Sequence, residues 1–356
     1  MKVMAVQARL AILPAGQKVF ELLEVDLPEP GPHEVLVEQK AFGICHSQLD
    51  RIDTERLEPM VIGHESTGVV LAVGSAVETI QVGEEVLLSW MSKSPGGSRK
   101  PGTPRIPLPD GRVAVTPNVF AWGTHALVDE LFLVQASPGV PADLSSIIGC
   151  AIMTGSGSVL NTAQDVAGKD VAVWGVGGVG GAAVAAAKAL GAANVIAVDI
   201  NDAKLALARS LGADRTVNAL QGDPVEAVRA LTRDGNGVDF SIDCTGRGDN
   251  TALSLKAVRV GVWGLHRGGA VILVGIPRTP VEFNAEDVVY GQRRIFGSLG
   301  GECSTQRDFP IFSEWYLDGR LDLNSLVTDR YSLDQINEGV QDLRSGKILG
   351  RAIVEL

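Results

Sequence analysis

The stretch Asp170–Asp199, DVAVWGVGGVGGAAVAAAKALGAANVIAVD, decides the fold. It opens on DVAVWG (170–175), a short apolar run with the β-branched content of a buried strand. A glycine-rich turn follows, then an alanine-rich segment from Val179 to Leu190 with helix composition, stopped at Gly191. NVIAVD (194–199) repeats the strand signal. The turn Gly175-Val176-Gly177-Gly178-Val179-Gly180 fits G-x-G-x-x-G in the setting that pattern needs, a strand before it and a helix after it. Gly175 permits the tight turn, Gly177 lets the backbone approach a pyrophosphate, and Gly180 lets helix and strand pack closely. Unpaired N–H groups at the start of the helix, around Gly178 and Val179, would then face the anion. Asp199, nineteen residues beyond Gly180, is placed to accept hydrogen bonds from ribose hydroxyls. A 2′-phosphate there would meet like charge, and Ile200, Asn201 and Asp202 supply no arginine, so NAD is expected rather than NADP.

The alternation continues outward from this stretch. DAKLALARSLGA (202–213) reads as a helix, and VDFSIDC (238–244) and AVILVGIP (270–277) as strands, with Val274 of the last facing the cofactor. Strands alternating with helices predict a parallel, doubly wound sheet. Before residue 150 the rhythm differs: VFELLEVDLP, HEVLVEQKAFG, STGVVLAVGSAV, GEEVLLSW and HALVDELFLVQ are short β-rich runs broken by Gly and Pro, the pattern of a rolled-up β domain. The opening MKVMAVQARLAIL reads as a first strand rather than a signal peptide. Residues 92–117, rich in Pro, Gly and Lys/Arg, read as a long surface loop. SLDQINEGVQDLRSG near the end predicts a helix and RAIVEL a last strand, both candidates to complete the first domain.

A chain of 356 residues exceeds the size one core usually serves, so two domains are expected. A hydrophobic share of 45% against 21% charged residues suits a soluble protein with a full core. The net charge of −11 argues against nucleic acid and anionic membrane as partners. No run approaches eighteen consecutive apolar residues, so no membrane span is expected. With no export signal, Cys45, Cys150, Cys244 and Cys303 are expected as free thiols or metal ligands, and the cytoplasm as the address.

Chemistry concentrates in FGICHSQLD (42–50), which sets Cys45, His46, Ser47, Gln48 and Asp50 close together. GHE (63–65) follows, and IGC (148–150) comes much later. Two thiolates and one imidazole suit zinc and leave a fourth position open, as in a catalytic rather than a structural site. Spacing does not establish that Cys45, His64 and Cys150 meet; unrelated core residues would look the same.

Taken together, GICHS, GHE, IGC followed by TGSGS, and GVGGVG ahead of VDI resemble the zinc-dependent alcohol dehydrogenases of the medium-chain dehydrogenase/reductase family, in the same order along the whole chain. The resemblance implies a GroES-like β-rich catalytic domain at 1–152 and 299–356 enclosing a Rossmann domain at 153–298, with the active site in the cleft between them. It implies Cys45, His64 and Cys150 as ligands of one catalytic zinc, with Glu65 beside the metal and able to approach it. Ser47 matches the hydroxyl that takes the alcohol proton, and Asp50 the last position of the relay. His46 matches a basic position near the cofactor pyrophosphate, Thr154 one packed by the nicotinamide, and Lys204 and Arg351 contacts to the ribose and pyrophosphate. The implied substrate is a small alcohol or its aldehyde or ketone, and the implied assembly a homodimer or homotetramer.

Three departures stand out. Residues 90–122 contain no cysteine, so no structural zinc is expected and the 92–117 loop replaces that lobe. Asp50 replaces a frequent histidine and is the weaker base at neutral pH. Gln48 stands where an aspartate often supports the zinc-binding histidine, accepting the imidazole N–H without adding charge. Trp90 and Trp122 fall where relatives line the substrate pocket, which would make it apolar; as two core tryptophans they would fit a β domain equally well. His33, His125 and His266 read as surface or core residues, and Cys244 and Cys303 as small buried hydrophobes. Two other functions share these residues: reduction of a C=N or activated C=C bond with zinc and nicotinamide, and cofactor binding without turnover.

Overall fold

The computed structural model describes residues 6–93, 97 and 99–356, so the first five residues of the expected opening strand, and residues 94–96 and 98 of the expected loop, lie outside the described residues. The chain forms two compact units: 1–150 with 304–313 and 327–356, and 151–303 with 314–326.

The second unit is built on six parallel strands in the order Arg215–Asn218, Asn194–Asp199, Asp170–Trp174, Phe240–Asp243, Ala270–Leu273, Arg294–Gly297. The chain enters at the middle strand, moves to one edge, then crosses back to fill the other side. The order therefore reverses beside Asp170–Trp174, and ligands of such sheets bind at the carboxyl ends of the strands there. Local sequence starts each helix. The Asn201 side chain accepts from the N–H groups of Ala203 and Lys204 to begin Asp202–Ser210, and Asp223 caps Pro224–Ala230, with proline in the first turn. Trp174, Ile196, Val198, Val228, Leu255 and Val271 fill the core of this unit.

The first unit holds a seven-stranded and a five-stranded sheet. In the larger, strand Glu34–Ile44 lies between Glu65–Val73 and Arg351–Glu355, antiparallel to both. The C-terminal strand thus belongs to this unit, and so does the helix Ile336–Ser345, which follows a 3-10 turn, Leu333–Gln335, started by a Ser332/Gln335 capping box. Leu10, Phe42, Val61, Phe120, Trp122 and Val340 share one core here.

One expectation needs correction. Residues 92–117 are not wholly irregular: Arg105–Pro107 and Val113–Val115 pair antiparallel and join the five-stranded sheet. The hairpin turns through Gly111 at φ 85°, with Leu108 N–H bonded to Arg112 O at 2.8 Å. Proline is tolerated because Pro107 ends a strand at the edge of the sheet. The helical run 142–163 has the length and mean hydropathy (1.3) that a membrane span would need, but 83% of its window is buried inside the protein, as in a core helix.

Candidate functional site

Sheet pairing converts distant sequence into one constellation. Ile44 pairs with Ala352, and Phe42 with Ser66, so Cys45 at the strand end stands beside both Glu65 and Arg351. Cys150 comes from a wide π turn, Ile148–Ile152, anchored where Ser89 Oγ donates to Gly149 O at 2.8 Å. Cys45 Sγ lies 3.8 Å from Cys150 Sγ, and His64 Nε2 lies 3.2 Å from the same sulfur. The ligand atoms of Cys45, His64, Glu65 and Cys150 all fall within 4.8 Å of one another. Two sulfurs on one tetrahedral zinc, each about 2.3 Å from it, would be about 3.8 Å apart, so this donor set fits that metal in kind and in spacing. The Cys150 sulfur hydrogen-bonded to it, the Arg351 charge and His64 hold the Cys45 thiol well below its ordinary value, against the opposing effect of burial. A thiolate is the form a metal takes.

Around this set the polar partners are specific. His64 Nδ1 faces the Gln48 amide. The nearer amide atom is Gln48 Nε2; ligation through His64 Nε2 would leave the imidazole proton on Nδ1, and a turn of the Gln48 amide would bring its Oε1, buried without a partner among the described residues, round to accept it. Ser47 Oγ donates to Cys45 Sγ at 3.2 Å. Asp50 follows three residues later on the helix Ser47–Asp53, the spacing that places two side chains on one face; both it and Ser47 are exposed. His46, also exposed, precedes that helix.

Arg351 meets Glu65 in the structure. Its guanidinium is bound to the Glu65 carboxylate, and the pair is buried, at 6% and 0% side-chain exposure. A carboxylate so fully desolvated needs a counter-charge, and the strand register brings Arg351 to it. Gly43 makes the room: a Cβ there would stand 2.3 Å from Glu65 Oε1.

In the second unit the glycine turn has the geometry of a phosphate cradle. Gly175 adopts φ 78°, and a Cβ on Gly180 would lie 1.9 Å from Gly175 O, so neither position accepts a side chain. On Gly177 a Cβ would meet only Lys204 Nζ, at 3.8 Å, so the face toward a ligand is open. The helix Gly178–Ala189 starts without a side-chain cap, leaving first-turn N–H groups, Val179 among them, for an anion. Asp199, half-buried, accepts from Val176 N and Asn201 N at 2.9 and 3.0 Å and retains acceptor capacity for hydroxyls. Lys204 and Thr154 are half-buried, and Val274 is buried just beyond its strand.

Residues 31–137 match the family described as alcohol dehydrogenase GroES-like domain, and residues 178–318 that described as zinc-binding dehydrogenase. A solved structure titled alcohol dehydrogenase zinc-binding domain protein, from Burkholderia ambifaria, is 30% identical, with 99% of each chain covered and a TM-score of 0.89. The chain belongs to the zinc-dependent alcohol dehydrogenase family. It is an enzyme, an alcohol oxidoreductase with a GroES-like domain and a Rossmann domain. The alcohol dehydrogenase class-3 of Cereibacter sphaeroides is 29% identical over 98% of this chain and all of that protein. Benzyl alcohol dehydrogenase from Acinetobacter calcoaceticus has a TM-score of 0.87 at 29% identity, covering 99% of each chain.

The aromatic positions divide. Trp90 is half-buried and packs against the core of the first unit. Trp122 has no exposed surface; it packs on Phe20 and Phe42, and its Nε1 donates to Gly43 O at 3.3 Å. It is a core side chain rather than an open pocket wall, because a ring of that area gains most when fully desolvated. Ser89 carries no motif, and Gly43 lies in one that says nothing of Glu65; only the fold reveals their part in the site.

Proposed function

We propose that this alcohol dehydrogenase uses NAD(H) and one zinc ion per chain to interconvert a small apolar alcohol and its aldehyde or ketone. The observation that carries this reading is the meeting of two thiols, an imidazole and a carboxylate beside an exposed serine hydroxyl. Cys45, His64 and Cys150 would hold the zinc, with Glu65 the neighbouring donor. Bound there, zinc supplies Lewis-acid activation of an alcohol hydroxyl or carbonyl oxygen. The nicotinamide supplies the hydride acceptor.

The chain's own residues do the rest. Ser47 Oγ would take the alcohol proton on a free lone pair while its own hydroxyl proton leaves the bond to Cys45 and passes on, and Asp50, on the same helical face, is the acceptor near solvent. Arg351 balances the charge of Glu65, so that carboxylate would not need a bound metal as its counter-ion. Gly175, Gly177, Gly178, Val179 and Gly180 receive the pyrophosphate, Asp199 binds the adenosine ribose and disfavours a 2′-phosphate, and Lys204, next to Gly177, adds positive charge. His46, Thr154 and Val274 complete the cofactor contacts.

One zinc is favoured because residues 90–122 lack cysteine. Arg99 takes over an anchoring role in that lobe, forming a two-pronged ion pair with Asp129 at 2.5 and 2.8 Å. Self-association to a dimer or tetramer is supported by the sheet ending at Arg294–Gly297 and by Trp263, Leu265 and Tyr290, exposed at 93%, 81% and 80%. Four free cysteines suit the reducing cytoplasm. The test is hydride transfer from a panel of aliphatic and aromatic alcohols to NAD and to NADP, before and after zinc removal. Turnover with NAD that vanishes on chelation and returns with zinc supports the reading; equal turnover in metal-free protein overturns it.

A further inference from the structure

The amino-terminal end of the parallel sheet, opposite the glycine turn, carries an unbalanced charge. Backbone bonds tie the strand starts together there: Asp239 N to Asp170 O, Ala270 N to Asp239 O, and Arg294 N to Gly269 O. Four arginines gather on this end. Arg233 Nε donates to both oxygens of Asp170 at 3.2 and 3.1 Å, and Arg259 pairs with Asp239 at 3.0 Å. Those two are neutralised. Arg293 is only 6% exposed, yet among the described residues its side chain has no hydrogen bond or ion pair, and its Nε is buried without a partner. Arg229 donates once, to Lys256 O at 2.7 Å, and its Nε is likewise buried and unsatisfied. Burial, and then the nearby Arg229 charge, pull the Arg293 guanidinium below its ordinary value, with Asp287 opposing from beyond ion-pair reach.

Burying a guanidinium without acceptors is costly, and a second cation near it adds to the cost. We infer that Arg229 and Arg293 form a binding site for a small oxyanion of the phosphate class. Two fixed cations match a dianion, and the terminal nitrogens of a guanidinium fork meet phosphate oxygens two at a time. The ligand would join the end of helix Pro224–Ala230 to the start of strand Arg294–Gly297, two elements that carry no catalytic group. Binding would therefore stabilise the cofactor domain.

The test titrates full-length, zinc-loaded protein, saturated with NADH so that the glycine cradle is filled, with inorganic phosphate in chloride buffer by calorimetry. One saturable phosphate site per chain is expected, weakened at least tenfold by Arg293→Leu and by Arg229→Gln, with zinc content and alcohol oxidation unchanged in both. Circular dichroism identifies a variant that has failed to fold, and the second variant then decides. Absence of saturable binding in the wild type, or unchanged affinity in a folded variant, overturns the site. So does loss of self-association in Arg293→Leu without phosphate binding, because the missing acceptor would then come from a second copy of the chain.

Discussion

Replacing Arg351 by methionine removes the counter-charge of Glu65 while keeping most of the side-chain volume. Glu65 has no solvent exposure, and the arginine that balances it is itself buried. Two unit charges about 4 Å apart attract by about 4 kcal/mol at an effective dielectric near 20. Stranding one member of a buried pair costs about 3–5 kcal/mol, whereas replacing both by neutral groups is close to neutral. Arg351→Met is therefore expected to lose about 3–5 kcal/mol in metal-free protein, and Glu65→Gln/Arg351→Met to regain most of it. In urea, with a slope near 2 kcal/mol per molar, the single variant's unfolding midpoint falls by roughly 2 M. Chelated protein is the right starting point, since a cation bound beside Glu65 would mask the missing charge. A single variant within about 1 kcal/mol of wild type, or a double variant as damaged as the single, would show that the pair does not carry this burden.

Gly180→Ala puts a methyl where Gly175 O stands 1.9 Å away, so NADH affinity by fluorescence titration should fall at least tenfold while zinc content holds. Asp199→Ala should raise the NADP-to-NAD ratio of kcat/KM by about tenfold or more, since one buried-site charge contact is worth about 1.5–3 kcal/mol. Ser47→Ala should lower kcat by about 10²- to 10⁴-fold, the range of a positioned proton acceptor, with little change in zinc content. Arg344, then Lys18, holds the Asp53 carboxyl down to about 2, below its unfolded value, so its stabilisation is present above pH 4 and is lost as pH falls toward 2. The pair is exposed and screened, so the loss is under about 1 kcal/mol, measured as a flatter acid limb in Asp53→Asn.

The cofactor half was legible because its signals are local. Strand, glycine turn, helix and second strand occupy thirty consecutive residues, and the structure repeats that order as Asp170–Trp174, Gly178–Ala189 and Asn194–Asp199. The metal half was not. Cys45 and Cys150 are 105 positions apart, and Arg351 and Glu65 are 286. Their meeting depends on the antiparallel register of strands from opposite ends of the chain, which no spacing rule encodes. Resemblance suggested the ligands, but not that Glu65 and Arg351 hold each other. The hairpin within 92–117 escaped because Pro and Gly dominate a segment whose strands have three residues each. Trp122 was ambiguous from sequence, since a pocket wall and a core ring share the same residue type.

Zinc content per chain, measured on protein purified without added metal, for wild type and Cys45→Ser side by side, tests the metal centre most directly. One zinc in the wild type and none in a folded Cys45→Ser protein are expected. A wild type that holds no zinc, with loss during purification excluded, or a variant that keeps its full complement, would contradict a catalytic metal at Cys45, His64 and Cys150.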